Sequence, residues 1–243
     1  MKTILILGAN SGIGEAIASR FAKAGYGLIL TSLRPESLSD LKKDLQVRFG
    51  TAVQIMQFDA LRYETHKPFY DSLAPEPDAA VCVFGYLGNH EETRNNFTEA
   101  QKTINTNYTG TISILDIVAA DFEKRKAGTI IGISSVAGER GRKSNYHYGS
   151  AKAAFTAYLS GLRQRLNYSG VHVLTVKPGY VRTRMTEKMK LPPLLTATAE
   201  KSPEDIYRAF VKRKNVVYTP SIWRGIMFII RHIPESIFKK INL

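Results

Sequence analysis

The chain has 243 residues, 44% of them hydrophobic and 23% charged, the profile of a globular protein with a full apolar core. Its single cysteine, Cys82, excludes an intramolecular disulfide and a cysteine-based metal cluster, and no run of about 18 apolar residues is present to cross a bilayer. The formal net charge is +13, and from Val181 onward thirteen Lys or Arg stand against five Asp or Glu, so 13 − 5 = +8 lies in the last quarter and favours an anionic partner.

In chain order, short runs rich in Ile and Val alternate with segments of helical period. The runs are Lys2–Leu7, Leu28–Thr31, Val53–Gln57, Ala79–Phe84, Gly128–Ile133, Val171–Val176 and Val216–Tyr218. Helical candidates lie near 13–24, 36–49, 64–73, 92–125, 147–168 and 203–213. The first run is short and ends in glycine, which makes it a strand rather than a signal peptide. The alternation predicts an α/β fold, a Rossmann-type doubly wound parallel sheet of about seven strands with helices on both faces. No repeat, linker or composition shift divides the chain, so 1–243 is expected to be one domain, with a basic, apolar segment at about 221–243. Cys82 falls inside an apolar run and is expected to be a buried core thiol.

The first strand–helix junction reads Gly8-Ala9-Asn10-Ser11-Gly12-Ile13-Gly14. Glycines there let the backbone approach a pyrophosphate, and a helix N-terminus presents free N–H groups to it. This selects Gly8, Asn10, Ser11, Gly12, Ile13 and Gly14 as dinucleotide contacts. At the end of the second strand, Thr31-Ser32-Leu33-Arg34 lacks the acid that would accept ribose hydroxyls and repel a 2′-phosphate. Ser32 and Arg34 could instead bind that phosphate, which favours NADP(H) over NAD(H), unless Arg34 merely begins a helix. Tyr148 and Lys152 stand four apart on a predicted helix and share a face. An ammonium there would favour the phenolate, pull a pKa of about 10 towards neutrality, and make the phenol a usable acid.

With these residues in order the chain resembles the short-chain dehydrogenase/reductase family. Gly8, Gly12 and Gly14 match its glycine motif, Asn107 its helix asparagine, and Ser135 its serine, thirteen residues before Tyr148. Tyr148 and Lys152 match the Tyr-x-x-x-Lys pair, and Pro178-Gly179-Tyr180-Val181-Arg182-Thr183 its Pro-Gly-x-Val-x-Thr turn. The resemblance implies that Tyr148 protonates the alkoxide formed by hydride transfer, that Ser135 bonds the same oxygen, that Lys152 tunes Tyr148 and holds the ribose, and that Asn107 positions a water. It also implies cofactor contacts from Asp59, Ala60, Gly85, Pro178, Gly179, Val181 and Thr183, and pairing into a homodimer or homotetramer through the helices near 92–125 and 147–168. The neighbouring Ser134 and Tyr146 are assigned to backbone bonding and to packing or a substrate wall. The chain departs from the family at Leu7 and at Phe84-Gly85-Tyr86-Leu87-Gly88, where asparagines that tie adjacent strands are missing.

The last stretch, with Ser135 to Arg140, Pro178 to Met185 and the tail Arg231 to Lys240, resembles the decaprenylphosphoryl-2-keto-ribose reductases. That group reduces a 2-keto sugar on a polyprenyl phosphate after a flavoprotein oxidase has formed the ketone, within cell-wall glycan synthesis. Arg140, Arg142, Lys143, Arg182 and Arg184 would then hold a lipid phosphate. The segment from Ile222 to Leu243 would pack on protein or lie at a membrane interface. The expected location is cytoplasmic, with peripheral contact on the inner face of the membrane; no nucleic-acid module is present. Two other readings are a reductase of a soluble sugar or small ketone and a non-catalytic dinucleotide-binding scaffold. The complete Asn-Ser-Tyr-Lys set argues against the scaffold, which needs only the glycine end.

Overall fold

Seven parallel strands form one sheet in the order β3-β2-β1-β4-β5-β6-β9. They are β1 (Thr3–Leu7), β2 (Gly27–Ser32), β3 (Val53–Gln57), β4 (Ala79–Cys82), β5 (Thr129–Ile133), β6 (His172–Pro178) and β9 (Val216–Thr219), with a separate short pair, β7 (Tyr180–Val181) and β8 (Thr196–Ala197). The computed structural model describes residues 1–181, 195–197 and 201–241.

Successive strand residues point to opposite faces, and helices cover both. Ile4, Ile6, Leu28, Leu30 and Ile131 pack with α1 (Gly12–Lys23), α2 (Ser39–Phe49) and α8 (Lys201–Val211) through Ile17, Phe21, Leu45 and Ile206. Leu5, Leu7, Ile29 and Cys82 pack on the other side with α3 (His66–Asp71), α6 (Gly110–Arg125) and α7 (Tyr146–Leu166) through Tyr70, Leu115, Phe122 and Phe155. Cys82 is buried, and desolvation pushes its thiol up to about 12, as a core position requires.

The expected strands are all found within one or two residues. The helix expected over 92–125 is not continuous. It is cut into α4 (His90–Asn95), α5 (Phe97–Ile104), a π turn (Asn105–Thr109) and α6. One cut is made by an asparagine: Asn96 Oδ1 accepts from Thr98 N at 3.0 Å and caps α5, while Asn89, whose Oδ1 accepts from Glu91 N at 3.0 Å, caps α4 just ahead of the expected segment. Thr31 adds a side-chain tie at the glycine turn. Its hydroxyl donates to Ile6 O and accepts from Gly8 N, both at 3.3 Å, joining β2 to β1.

The C-terminal segment folds back onto the sheet's end. Trp223 and Met227 of α9 (Trp223–His232) form a small core with Val136, and α10 (Glu235–Phe238) follows. Among the described residues, no helix is long and apolar enough to cross a membrane.

Candidate active site

Strand order reverses between β1 and β4, which opens a crevice at their C-terminal ends where open α/β sheets hold ligands. Gly8 follows β1 with φ +92°, and a β-carbon there would lie 2.6 Å from Phe84 N. Only glycine serves that turn, because the chain after β4 passes directly against it. Ser11 then caps α1: its hydroxyl accepts from Gly14 N at 3.0 Å and donates to Gly8 O at 3.1 Å. The first N–H groups of α1 are left facing the crevice.

A cavity of about 320 Å³ runs from this turn to the opposite wall. Of the residues chosen from sequence, Asn10, Ser11, Gly12, Ile13, Gly85, Ser135, Tyr148, Lys152, Pro178, Gly179 and Val181 line it. Val83, Phe84, Ile133 and Ser134 line it as well and were not anticipated, although each stands within two positions of an anticipated residue. Gly8 and Gly14 shape the turn from behind. Ser32 and Arg34 lie at the end of β2, and Asp59 and Ala60 follow β3, at the same edge of the sheet but outside the cavity wall. Ser32 is buried and its hydroxyl accepts from Arg34 N at 3.1 Å, which fixes the loop. Arg34 is exposed and precedes Pro35 at the start of a short 3₁₀ turn. Asp59 Oδ1 accepts from Leu61 N at 2.9 Å. Thr183, Arg182 and Arg184 lie outside the described residues.

Lys152 and Tyr148 project from adjacent turns of α7. Lys152 is buried, and its ammonium donates to Ile133 O at 3.1 Å. Of three ammonium protons this uses one and leaves the others for the cavity it lines. Ser135 Oγ accepts from Ala137 N at 3.1 Å, and Ser135 also hydrogen-bonds Tyr148. Ser134 turns away, bonding Lys152 O at 3.0 Å and Thr156 Oγ1 at 2.7 Å, as a backbone-bonding serine should.

The expected pKa pattern is reversed. Desolvation pushes the Tyr148 phenol up to about 12, with the Ser135 hydrogen bond opposing it, and pushes Lys152 down to about 8. The ammonium sits 5.8 Å from the centre of the tyrosine ring and is tied to Ile133, so it does not draw the phenol towards neutrality. Burial wins over the four-residue spacing. The phenol stays protonated, which is the state a proton donor needs.

Asn107 also differs from expectation. Its side chain is buried and wholly engaged: Nδ2 donates to Tyr86 O at 2.5 Å and to Thr103 O at 2.8 Å, and Oδ1 accepts from Tyr86 N at 3.2 Å. It clamps the loop after β4 and does not line the cavity. A β-carbon on Gly85 would lie 2.8 Å from Asn107 Oδ1, so this clamp holds Gly85 at the cavity wall and glycine alone fits under it.

A family model described as short chain dehydrogenase matches residues 2–192. The chain belongs to the short chain dehydrogenase family. It is 34% identical to an uncharacterized oxidoreductase of Mycobacterium tuberculosis over 98% of this chain and 96% of that protein. It is 28% identical to an NADP-dependent 3-hydroxy acid dehydrogenase of Schizosaccharomyces pombe, over 91% of each. A short-chain dehydrogenase from Sphingobium yanoikuyae in complex with NADPH has the same fold, with a TM-score of 0.83 and 24% identity over 97% of this chain and 98% of that one.

Around the site of this short chain dehydrogenase, the two described arginines expected to hold a phosphate, Arg140 and Arg142, are otherwise employed. Arg140 Nη1 donates to the carbonyls of Ile230, Arg231 and Ile233 at 2.9, 3.1 and 2.6 Å, and Nη2 pairs with Glu235 at 2.8 Å. Its guanidinium lies 3.9 Å from the centre of the Phe238 ring. It therefore caps the C-terminus of α9. Arg142 is buried, with Nη2 3.4 Å from Met227 Sδ. Lys143 alone of the described loop cations stays exposed. Sequence reasoning also missed Glu139, whose Oε1 accepts from both Lys177 Nζ and Tyr218 OH at 2.5 Å. This buried cluster ties the loop after Ser135 to the strand end before Pro178. No local pattern could have revealed it, since its partners lie 38 and 79 residues away.

Proposed function

We propose that this short chain dehydrogenase reduces the ketone of a 2-keto sugar carried on a polyprenyl phosphate, using NADPH, within the synthesis of cell-envelope polysaccharide. The residues present fit a nicotinamide dinucleotide. The glycine turn leaves no β-carbon in the way, α1 offers free N–H groups, and Lys152 keeps two donors for the cavity. Arg34, exposed and without an ion-pair partner among the described residues, suits a 2′-phosphate, and the NADPH bound by the structural relative agrees with that preference.

When bound, the cofactor supplies the hydride. Tyr148 gives its proton to the ketone oxygen. Ser135 hydrogen-bonds that oxygen, and the Ala137 N–H fixes the serine. Lys152 contributes positive charge and holds hydroxyls. Asn107 acts through Tyr86, keeping the wall at Gly85 in place.

The observation that carries the substrate reading is α9. Its inner face covers the Pro178-Gly179 turn, while Phe228 and Ile229 on the outer face are 61% and 65% exposed, with Ile222 at 53%. Exposed Arg224 and Arg231 flank them, and Lys239 and Lys240 follow. Apolar residues bordered by cations beside the active cavity suit an anionic bilayer surface from which a lipid-linked sugar is delivered. The enzyme would then work at the inner face of the membrane, on a ketone supplied by a flavoprotein oxidase.

The test is NADPH consumption with a panel of 2-keto glycosyl prenyl phosphates in detergent or anionic vesicles, beside the same sugars without the lipid. Faster turnover of the lipid-linked ketones is expected, with loss of about 10²-fold or more in Tyr148→Phe. Equal turnover with and without the lipid would overturn the substrate assignment, and an active Tyr148→Phe the proton donor.

A further inference from the structure

The turn that carries Ser135 is wedged against the helix that carries Tyr148 and Lys152. A β-carbon on Gly138 would lie 2.7 Å from Ala153 N, and one on Gly149 would lie 2.9 Å from Ala137 O, so the two backbones touch. Ser135 and Tyr148 therefore form one wall of the cavity. Pro178 and Gly179 form another, hung from β6 and tied to β9 where Gly179 N donates to Thr219 O at 3.0 Å. The ladder joining β5 to β6 ends at Ile133 and Val176, short of both walls. With the glycine turn at one end for a pyrophosphate, the end between Tyr148 and Pro178-Gly179 is left for the hydride-donating ring.

Glu139 bridges these two walls from behind. It caps the 3₁₀ turn Val136–Gly138, and its side chain, 3% exposed, meets that of Lys177, 11% exposed, just before Pro178. One oxygen, Oε1, accepts from Lys177 Nζ and from Tyr218 OH, each at 2.5 Å, while Oε2 is shielded and has no partner. Lys177 and Tyr218 are direct partners on β6 and β9, so their side chains share a face of the sheet. The Lys177 ammonium also lies 5.4 Å from the centre of the Tyr218 ring. None of the three residues lines the cavity.

A buried ion pair is a poor source of stability, because desolvating both charges offsets their attraction and apolar side chains of similar volume serve as well. The incompletely bonded carboxylate makes the offset larger here. What such a pair supplies is direction, since short charge-assisted bonds fix the separation of the segments that carry them. We infer that Glu139, acting through Lys177 and Tyr218, is a positioning residue for hydride transfer, setting the distance between the Ser135–Tyr148 wall and the Pro178-Gly179 wall. The inference rests on Tyr148 as proton donor and on no particular ketone.

The experiment compares the wild type with Lys177→Met, Lys177→Arg and a triple variant, Glu139→Leu with Lys177→Met and Tyr218→Phe, which removes the cluster's polar groups together. The deciding readout is the fluorescence lifetime of bound NADPH, which arises in the dihydronicotinamide ring alone. NADPH affinity, the thermal midpoint of the apoprotein and kcat on the fastest ketone of the panel accompany it. The triple variant is expected to unfold within about 5 °C of the wild type, because it strands no buried charge. Its NADPH dissociation constant is expected to stay within about threefold, the pyrophosphate end being untouched. Its bound lifetime is expected to shorten towards that of free NADPH, and kcat to fall at least about tenfold through misplacement of the ring. Lys177→Arg, which keeps the pair, is expected to retain the lifetime; Lys177→Met, which strands the carboxylate, is expected to lose both lifetime and stability. A wild-type lifetime in the triple variant overturns the inference. So does a larger drop in its midpoint, which marks the cluster as a stabilising one. The lifetime uses no ketone, so failure of the keto-sugar reading, seen as no gain from the prenyl phosphate, is distinct, and failure of the proton-donor reading shows as an active Tyr148→Phe.

Discussion

The indole of Trp223 lies flat against the backbone of Gly179, so close that a β-carbon on residue 179 would overlap the ring. Its Nε1 donates to Leu195 O at 2.9 Å, and Tyr180 meets it edge-on at 5.2 Å. Helix α9 thus forms the back of the turn that lines the cofactor cavity. Trp223→Ala is expected to lower stability by about 3–5 kcal/mol and to reduce kcat/KM through the loosened turn. Gly179→Ala is expected to weaken cofactor affinity with a smaller loss of stability. Denaturant unfolding and dinucleotide titration separate the two, and normal affinity in Gly179→Ala would contradict the contact.

Arg140 supplies the second tie on the same helix. Removing it strips two carbonyls of α9 and that of its C-cap Ile233 of their donor, and takes a cation from the face of Phe238. Arg140→Ala is expected to cost about 2 kcal/mol and to speed amide exchange across 223–238 while leaving the central strands protected. Unchanged exchange in α9 would show that the helix is held by Trp223 and Met227 alone.

Lys152 titrates near 8 in the folded protein against a usual value near 10.5. Between those values the unfolded chain binds more protons, so the free energy of unfolding rises with pH there, by about 3 kcal/mol for a shift of this size. Below pH 8 the full burden of the buried charge remains. Lys152→Met is therefore expected to be more stable than the wild type at pH 7, with the gap narrowing from pH 8 to 10.5. A gap that stays constant over this range would place the lysine pKa elsewhere. In catalysis the same group sets the alkaline limb. Reduction is expected to decline above about pH 8, and a limb unchanged in Lys152→Arg would belong to another residue.

Arg34 offers the most direct check of cofactor preference. Arg34→Ala is expected to raise the KM for NADPH about tenfold, the low end for a charge-assisted bond at an exposed site, and to leave that for NADH nearly unchanged. Steady-state rates with both cofactors decide it; equal losses would mean that Arg34 serves only to start the turn at Pro35.

The strands and the convergence of the site were legible because both are written in short-range spacing. Period-free apolar runs fit strands buried on both faces, and Gly8 to Gly14 or Tyr148 to Lys152 are fixed by one turn or one helical pitch. The break of the segment over 92–125 was half legible, for Asn96 is an ordinary helix cap hidden in a helical pattern.

The amino-acid sequence alone determined the family, the seven strands and most of the residues that line the cavity, since the motifs that carry them are written in short-range spacing. Tertiary structure alone decided that Arg140 caps a helix 90 residues onward instead of facing a phosphate, that Asn107 is consumed by the backbone of Tyr86, and that Tyr148 and Lys152 are shifted by burial against the sense their spacing suggested. Those outcomes depend on what distant segments place around a group, because desolvation and hydrogen-bond partners are set by packing and not by the residue's own neighbours in the chain.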